Sequence, residues 1–315
     1  TIVVVPAPRI DVWVTLQQAA DGLADGHNMY TMTWHDSPGI QDAFTYLPWT
    51  AVLLAPGRWL AGDVRWALLL LSLVALACTA ALGARGSRGW TSSGALTAVT
   101  LLALAPGTIT QSEQAWTEPM LLAALAAWAL LVRRGHAWWA VVPLALGCAS
   151  KQHLAVLLPV LACWQAFGLR RVVATAGLSG VLVLPWFVAD PAAMWHDTVS
   201  LLVGFHPIRF ANTLYIAARH ELSWTPPFWL TGIVVLGLLV TTCLLVRRRQ
   251  PSLTELLGWL ALVLLVATLV NKQGFYNQYW LVGALVALGV AASAGAATSD
   301  GDVVDRVARQ DAVQP

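Results

Sequence analysis

Residues 227–249 have the sequence PFWLTGIVVLGLLVTTCLLVRRR: twenty uncharged, mostly apolar residues followed by Arg247, Arg248 and Arg249. A helix of twenty residues rises about 30 Å, which is the thickness of the hydrocarbon core of a bilayer. Arginines that flank a span stay on the cytoplasmic side. This stretch therefore predicts a membrane helix whose carboxyl end faces the cytoplasm.

The composition of the whole chain agrees with that prediction. Of its 315 residues, 58% are hydrophobic and 11% are charged, whereas soluble domains carry about 25% charged residues. The net charge of +2 is too small, and the arginines too dispersed among short loops, for a nucleic-acid partner. We therefore expect a multi-pass protein of the cell membrane that has the lipid bilayer as a partner and binds no nucleic acid.

The apolar runs predict an all-α, polytopic transmembrane fold with about nine spans. The gaps between runs alternate between two kinds, one rich in arginine and the other rich in acids, amides and aromatic residues. Because arginine-rich loops stay inside, the second kind faces the outside, together with residues 6–45. The predicted spans are residues 64–82, 92–109, 118–132, 136–149, 154–168, 172–188, 227–246, 253–270 and 279–296. The arginine gaps hold Arg85/Arg88, Arg133/Arg134, Arg170/Arg171 and residues 247–249, and the outer gaps are residues 111–118, 150–153, 190–226 and 271–279.

Some segments depart from simple spanning. Residues 44–60 are short and contain Pro48 and Pro56, so we predict a re-entrant or interface-lying segment; if they span, the two kinds of gap exchange sides. Outer surface helices are predicted over residues 12–23 and 193–203, and a short helix over 214–221. Residues 1–299 form one predicted membrane domain whose first transmembrane helix is largely missing, and residues 300–315 a disordered cytoplasmic tail.

Asp11 is the first residue in the chain that can carry chemistry. It starts the predicted surface helix, so it can act as a helix N-cap, a position that aspartate fills well. A carboxylate at the outer face of a membrane can instead act as a general base toward a hydroxyl group. The residues alone leave both roles open.

The next outer gap contains two more acids. Thr117 can cap the helix that follows, with Pro119 in its first turn and Glu118 against its dipole. This structural role for Glu118 is at least as well supported as a contact with a substrate. Glu113 has no comparable structural role, and we keep it as a candidate substrate contact.

Cationic side chains recur in the later outer gaps. Lys151 forms a polar tip between two apolar runs, where it either snorkels to the interface or binds an anion. His206 and Arg209 lie in the next outer gap, and Lys272 in the last. Three cationic clusters on one face, beside acids, suit a phosphate-bearing group near the bilayer surface.

Several kinds of site are absent from the sequence. It has no glycine-rich phosphate loop, no nucleophile elbow and no Cys/His cluster with the spacing of a zinc site. Its four cysteines all lie within apolar runs and are expected to be small core residues. We therefore expect no metal, no cofactor and no nucleotide, so that any group donor is carried by a lipid.

Short motifs in the first outer stretch resemble those of a known superfamily. They are Asp11 within Arg9-Ile-Asp-Val-Trp13, the turn Gly26-His-Asn-Met-Tyr30, and Phe44-Thr-Tyr46-Leu-Pro48. This order of an aspartate, a helix, a Gly-x-x-x-Tyr turn and an aromatic-x-Pro segment resembles the first outer loop of the GT-C membrane glycosyltransferases. It is most similar to that of glycosyltransferase family 87, which includes actinobacterial mannosyltransferases that use polyprenyl-phosphate mannose. The gap 111–118, Lys151, and Asn212-Thr213-Leu214 add to the likeness.

The resemblance implies an inverting hexosyltransferase with its active site on the outer face. The donor would be a polyprenyl-phosphate sugar, either mannose or another hexose or pentose, and the acceptor a hydroxyl group of a lipid-linked or cell-envelope glycan. Asp11 matches the catalytic acid of the family and would be the base. Lys151 departs from the family pattern because Gln152-His153 follows it in place of proline or an apolar residue. The alternatives are a transporter or flippase of a lipid-linked or anionic substrate and an inactive membrane scaffold.

The candidate site residues divide into three groups. Asp11 is the catalytic candidate, and the candidates for holding the donor phosphate are Lys151, Arg209, His206 and Lys272. The candidate substrate contacts are Arg9, Tyr46, Glu113, Glu118, Gln152, His153, Asn212, Gln273, Tyr276 and Tyr279.

Overall fold

A computed structural model describes residues 2–84 and 93–311, with side chains described as far as residue 294. Over these residues the chain is all helical, with no strand. Its α-helices are α1 (Asp11–Ala24), α2 (Trp49–Ala61), α3 (Arg65–Gly83), α4 (Ser93–Leu104), α5 (Thr108–Glu113), α6 (Glu118–Arg133), α7 (Val141–Ser150), α8 (Leu158–Cys163), α9 (Gly168–Ala189), α10 (Pro191–Trp195), α11 (Leu201–Gly204), α12 (Leu214–Glu221), α13 (Phe228–Arg249), α14 (Leu253–Leu269) and α15 (Tyr276–Asp311).

Four of the described helical segments are long and apolar enough to cross a bilayer. They are α3, α9, α13 and the part Tyr276–Ala294 of α15, each with 19 to 22 residues. The remaining predicted spans coincide with shorter apolar helices. Over the described residues the structure thus confirms an all-helical fold with four candidate membrane spans, and the count of about nine spans stays a prediction.

Glycine and proline divide two of the runs that the sequence predicts as single helices. The predicted span 92–109 ends as α4 at Leu104, and Gly107, with a φ of +85°, starts α5 as its N-cap. A residue with that φ is almost always glycine, because a Cβ atom would clash with the backbone. The predicted span 154–168 is divided into a 3-10 turn, Gln152–Leu157, and α8, which ends before Trp164.

The segment predicted to be re-entrant contains α2. This helix has 13 residues, ends at Gly62 in the left-handed conformation, and packs against α1, α3 and α7. It rises about 20 Å, less than the hydrocarbon core of a bilayer. Its length therefore suits a non-spanning segment, and its depth in the membrane stays a prediction.

The predicted surface helices differ in how well they match. The prediction for residues 12–23 matches α1, and that for 214–221 matches α12. Residues 193–203, predicted as one helix, are divided among α10, a π-helical turn His196–Ser200 and α11. The helix α15 continues to Asp311, so residues 300–311 are helical where the sequence predicts a disordered tail. Acids four residues before arginines, as in 302/306 and 305/309, favour a helix there.

The described arginine gaps meet at one end of the helix bundle. Arg133 Nη1 donates to the carbonyl oxygen of Ala292 at 2.7 Å, and the guanidinium of Arg171 lies 5.4 Å from the ring centre of Trp138. The indole of Trp164 joins this end to Pro251. Arg85 and Arg88 lie outside the described residues.

The acids and amides of the outer gaps gather at the opposite end. The Lys151 ammonium bonds Glu118 there, and Tyr276 bonds the carbonyl of Pro106. Between the two ends runs an apolar core that includes Leu121, Leu125 and Trp128 on α6. The alternation of gaps in the sequence therefore becomes a physical separation of charge in the fold.

Candidate active site

Asp11 lies in the first turn of α1 and does not cap the helix. The N-cap position is held by Ile10, which makes no side-chain cap bond. The Oδ1 atom of Asp11 accepts the N–H of Val12 at 2.8 Å, and the carboxylate lies at the positive end of the helix dipole. Its Oδ2 atom makes no hydrogen bond to another described residue, and the side chain is half-buried. One carboxylate oxygen is therefore free to accept a proton.

Gly39 covers one side of this carboxylate. A Cβ atom added to Gly39 would overlap Asp11 Oδ2 and would lie 2.9 Å from Asp11 Cγ. Only a residue without a side chain leaves both groups in place. The loop before α2 therefore forms a wall against the candidate base.

Glu118 and Lys151 form a buried ion pair. Lys151 Nζ lies 2.5 Å from Glu118 Oε1 and 3.1 Å from Thr117 Oγ1. The Glu118 side chain is fully buried and that of Lys151 is 13% exposed. Two of the three ammonium protons are thus used by α6, and the ammonium also lies 5.4 Å from the ring centre of Tyr46.

Tyr46 lies close enough to this ion pair and to Asp11 for their charges to act on its hydroxyl. Burial, followed by the negative charges of Glu118 and Asp11, raises the pKa of the Tyr46 hydroxyl above its usual range. The phenol therefore stays protonated and can donate a hydrogen bond. The sequence predicted all four of these side chains, and together Asp11, Tyr46, Glu118 and Lys151 form the candidate active site.

The segment that carries Tyr46 is held from several sides. The N–H of residue 44 donates to Asp197 Oδ2 at 2.8 Å, and Gln152 Nε2 donates to the carbonyl of residue 45 at 3.1 Å. The Tyr30 hydroxyl donates to the carbonyl of residue 46 at 2.9 Å. Residue 47 donates to the carbonyl of Ser150, next to Lys151. Gln152, a predicted substrate contact, here binds the backbone that positions Tyr46.

A second buried ion pair fixes the chain on both sides of Asp11. Arg65 is fully buried, and its Nη2 atom lies 2.6 Å from Asp63 Oδ2. Its guanidinium also donates to the carbonyl oxygens of residues 5 and 6 and of Glu113. These bonds attach the segment that precedes Asp11 to the start of α3 and to the end of α5.

Trp13 completes this arrangement on the other side of Asp11. Its indole N–H donates to Asp63 Oδ2 at 3.2 Å, and the Arg65 guanidinium lies 5.7 Å from its ring centre. Because the residues before and after Asp11 bind the same pair, the pair positions Asp11 without touching it. It contributes no free charge for a ligand.

The late-loop candidates form a separate cluster. Lys272 is buried, donates to the carbonyl oxygen of Val203, and lies 4.7 Å from the ring centre of Phe228. Burial lowers the pKa of the Lys272 ammonium. Asn212 donates its N–H to Gly274, and the Tyr279 hydroxyl bonds the Asn212 carbonyl. Among the described residues no hydrogen bond or ion pair connects this cluster to Lys151.

The other candidates are more dispersed. Arg9, His206 and Arg209 are exposed, and His206 stacks on Phe205 with ring centres 4.9 Å apart. Glu113 Oε1 accepts a bond from its neighbour Gln114 at 3.2 Å. Tyr276 bonds the carbonyl of Pro106, Gln273 is half-buried, and His153 and Asn277 lie close enough to Glu118 to interact with its carboxylate.

Sequence reasoning did not identify several residues that shape this site. They are Gly39, Asp63, Arg65 and Asp197. Of these, only the pair in Asp63-Val64-Arg65 carries a signal, because two charges directly before an apolar run need partners. Over the described residues, no three His, Cys, Asp or Glu side chains come together to hold a metal, and the absence of a metal stays a prediction.

The fold of this chain is similar to that of known structures. No family model and no curated protein matches the chain. ArnT from Cupriavidus metallidurans bound to undecaprenyl phosphate superposes with a TM-score of 0.61 at 16% identity, over 92% of this chain and 55% of ArnT. The apo structure of the same protein gives a TM-score of 0.59. The chain thus spans about half the length of ArnT and shares the helical fold of that part of it.

Proposed function

We propose that this chain transfers a sugar from a polyprenyl-phosphate donor to a hydroxyl group of a lipid-linked or cell-envelope glycan, with Asp11 as the general base. The observation that carries the proposal is the half-buried Asp11 carboxylate, with one free oxygen, beside Tyr46 and the Lys151–Glu118 pair. The fold supports it, because the ArnT structure of the same fold holds undecaprenyl phosphate.

In this mechanism Asp11 Oδ2 accepts the proton of the acceptor hydroxyl. The acceptor oxygen then forms a bond to the anomeric carbon of the sugar, and the bond from that carbon to the donor phosphate oxygen breaks. The reaction inverts the anomeric carbon, because the attack comes from the face opposite the leaving group. A positioned base of this kind contributes about a hundredfold to ten-thousandfold in rate.

The leaving phosphate gains negative charge, which cationic groups stabilise. Lys151 has one ammonium proton that neither Glu118 nor Thr117 accepts, and this proton is available to a phosphate oxygen near Tyr46. Arg209 and His206 are exposed and can attract the same group from the membrane surface. Lys272 is the weakest candidate of the four, since its ammonium already binds a carbonyl oxygen.

We propose that the site faces the outside of the cell membrane, because the described arginines meet at the other end of the bundle. A cysteine at Ser112 or Asn212 should then react with a membrane-impermeant thiol reagent in intact cells, and a cysteine at His136 should react only after lysis. Labelling of His136→Cys in intact cells would show that the protein has the opposite orientation, with Asp11 on the cytoplasmic side.

The function itself is tested by the transfer of radiolabelled sugar from polyprenyl phosphate in membranes that contain the full chain. We expect label to appear in a glycolipid or glycan product. Movement of the lipid-linked sugar across the bilayer without a new glycosidic bond would instead support a flippase. If neither transfer nor movement of the sugar is detected, the remaining alternative is an inactive membrane scaffold.

Gly39→Ala should lower transfer by about a hundredfold, because its methyl group would displace the Asp11 carboxylate, and small misplacements of a catalytic group cost that much. Gly177→Ala is the matched control, since a Cβ at Gly177 meets nothing within 4 Å. Rates are compared at equal amounts of folded protein. Full activity in Gly39→Ala would show that the loop does not restrict Asp11.

A further inference from the structure

A cavity lined by polar and apolar side chains lies next to His153, two residues after Lys151. It has a volume of about 130 Å³ and lies between the polar tip after α7 and the adjoining ends of α14 and α15. Its polar lining consists of His153, Thr268, Asn271 and Gln278, and its apolar lining includes Leu264 and Leu281. His153 connects it to the candidate active site, because this imidazole interacts with both Lys151 and Glu118.

The polar groups of this lining have unused hydrogen-bonding capacity. Within the described part of the chain, the side chains of His153, Asn271 and Gln278 make no hydrogen bond to another residue, and neither does the Thr268 hydroxyl. Two amides, a hydroxyl and an imidazole together offer several donors and several acceptors. The side chains of His153, Asn271 and Gln278 are partly exposed, and half of the lining residues are apolar, so the cavity suits an occupant with both polar and apolar surfaces.

The lining carries no charge. Burial, followed by the positive charge of Lys151, lowers the pKa of His153 to about 4, so the imidazole is neutral at pH 7. Lys151 near His153 is paired with Glu118, and Lys272, which follows Asn271, donates to the carbonyl oxygen of Val203. A phosphate or an ammonium group would find no counter-charge here, and burying such an ion unpaired is costly.

We propose that this cavity binds one uncharged sugar ring of a lipid-linked substrate. A ring of hydroxyl groups matches neutral donors and acceptors, and its C–H faces match Leu264 and Leu281. An apolar cavity of about 150 Å³ in another protein holds a benzene ring, so the volume of this cavity is on the scale of one six-membered ring without its substituents. The inference deepens the proposed function, because it specifies a neutral sugar and rests on a sugar being the substrate.

The sugar ring belongs either to the donor or to the acceptor. A binding experiment can distinguish these two assignments. The protein is reconstituted in nanodiscs with Asn271→Cys, and the labelling rate at position 271 is read by peptide mass spectrometry. The probes are uncharged octyl mannoside, anionic octyl glucuronide and zwitterionic octyl phosphocholine, which share one alkyl chain and differ in the charged groups that the headgroup carries. Ser223→Cys, on an exposed residue outside the cavity, is the control for access of the reagent.

Octyl mannoside should slow labelling at position 271 at least fivefold, and the two charged probes should not. Adding Gln278→Leu should raise the mannoside concentration needed for half protection about tenfold, because the cavity loses its amide hydrogen bonds. If farnesyl-phosphate mannose protects position 271 at a lower concentration than octyl mannoside does, the sugar ring belongs to the donor. If the two compounds protect at the same concentration, the ring belongs to the acceptor.

Equal protection by all three alkyl probes would overturn the proposal, since only the alkyl chain would then be bound. Protection by none of the probes would also overturn it and leave a water-filled cavity. The readout is independent of catalysis, because Asp11→Asn should be protected as the parent is. Loss of transfer with intact protection would therefore refute the proposed base and not the sugar site.

Discussion

Asp11→Asn should lower the rate of sugar transfer by about a hundredfold to ten-thousandfold, because it removes the proton acceptor that the acceptor hydroxyl needs. Asparagine keeps the shape of the side chain, and its carbonyl oxygen can still accept the N–H of Val12. The lost charge at the start of α1 costs about 0.3–1 kcal/mol in helix stability. The variant should therefore fold and retain the lipid donor while transfer is lost.

Asp21→Asn is the matched control for this variant. Asp21 lies on the same helix and pairs with Arg58 at 2.7 Å, with both side chains partly exposed at 47% and 35%. An exposed pair of this kind contributes at most about 1 kcal/mol to stability, so its loss should leave transfer near the parent rate. Transfer is measured with radiolabelled polyprenyl-phosphate sugar at equal protein. If Asp11→Asn transfers sugar as fast as Asp21→Asn, the carboxylate serves only the first turn of α1.

Helices could be predicted from the sequence wherever a run of apolar residues was uninterrupted. Residues 227–246 predicted α13 closely, because length and hydropathy alone decide such a helix. The break between α4 and α5 depends on Gly107 adopting a positive φ against the ring of Tyr276, a contact between residues far apart in sequence. Periodicity carries no information about such a contact.

The sequence was enough to predict which residues belong to the candidate site, but not which of them bind each other. The alternation of the gaps correctly placed Glu118 and Lys151 at one end of the bundle, but nothing in either gap requires that the two bind each other. The pairing depends on how α6 and α7 pack. Gly39 was missed for a related reason, since a glycine in a polar loop looks ordinary until Asp11 lies against it.

The Lys151 ammonium has two roles, one toward the Glu118 carboxylate and one, in the proposed mechanism, toward the donor phosphate. Glu118 is fully buried and needs a cation, whereas the proposed mechanism needs the same cation for a phosphate. Both needs can be met because an ammonium has three protons, of which Glu118 and Thr117 take two. An arginine at this position would keep the charge, but its planar fork would direct its protons differently.

Lys151→Met should therefore destabilise the fold by about 3–5 kcal/mol, because it leaves the Glu118 carboxylate buried without a partner. Adding Glu118→Gln should restore most of that stability, since a neutral amide no longer needs a counter-ion. The double variant should still use the donor poorly if Lys151 binds the phosphate, and Lys151→Arg should retain part of the activity. Unfolding of the purified protein measures the first effect, and the donor concentration for half-maximal transfer measures the second. A stable double variant with the parent's donor use would confine Lys151 to the ion pair and leave the phosphate to Arg209 and His206.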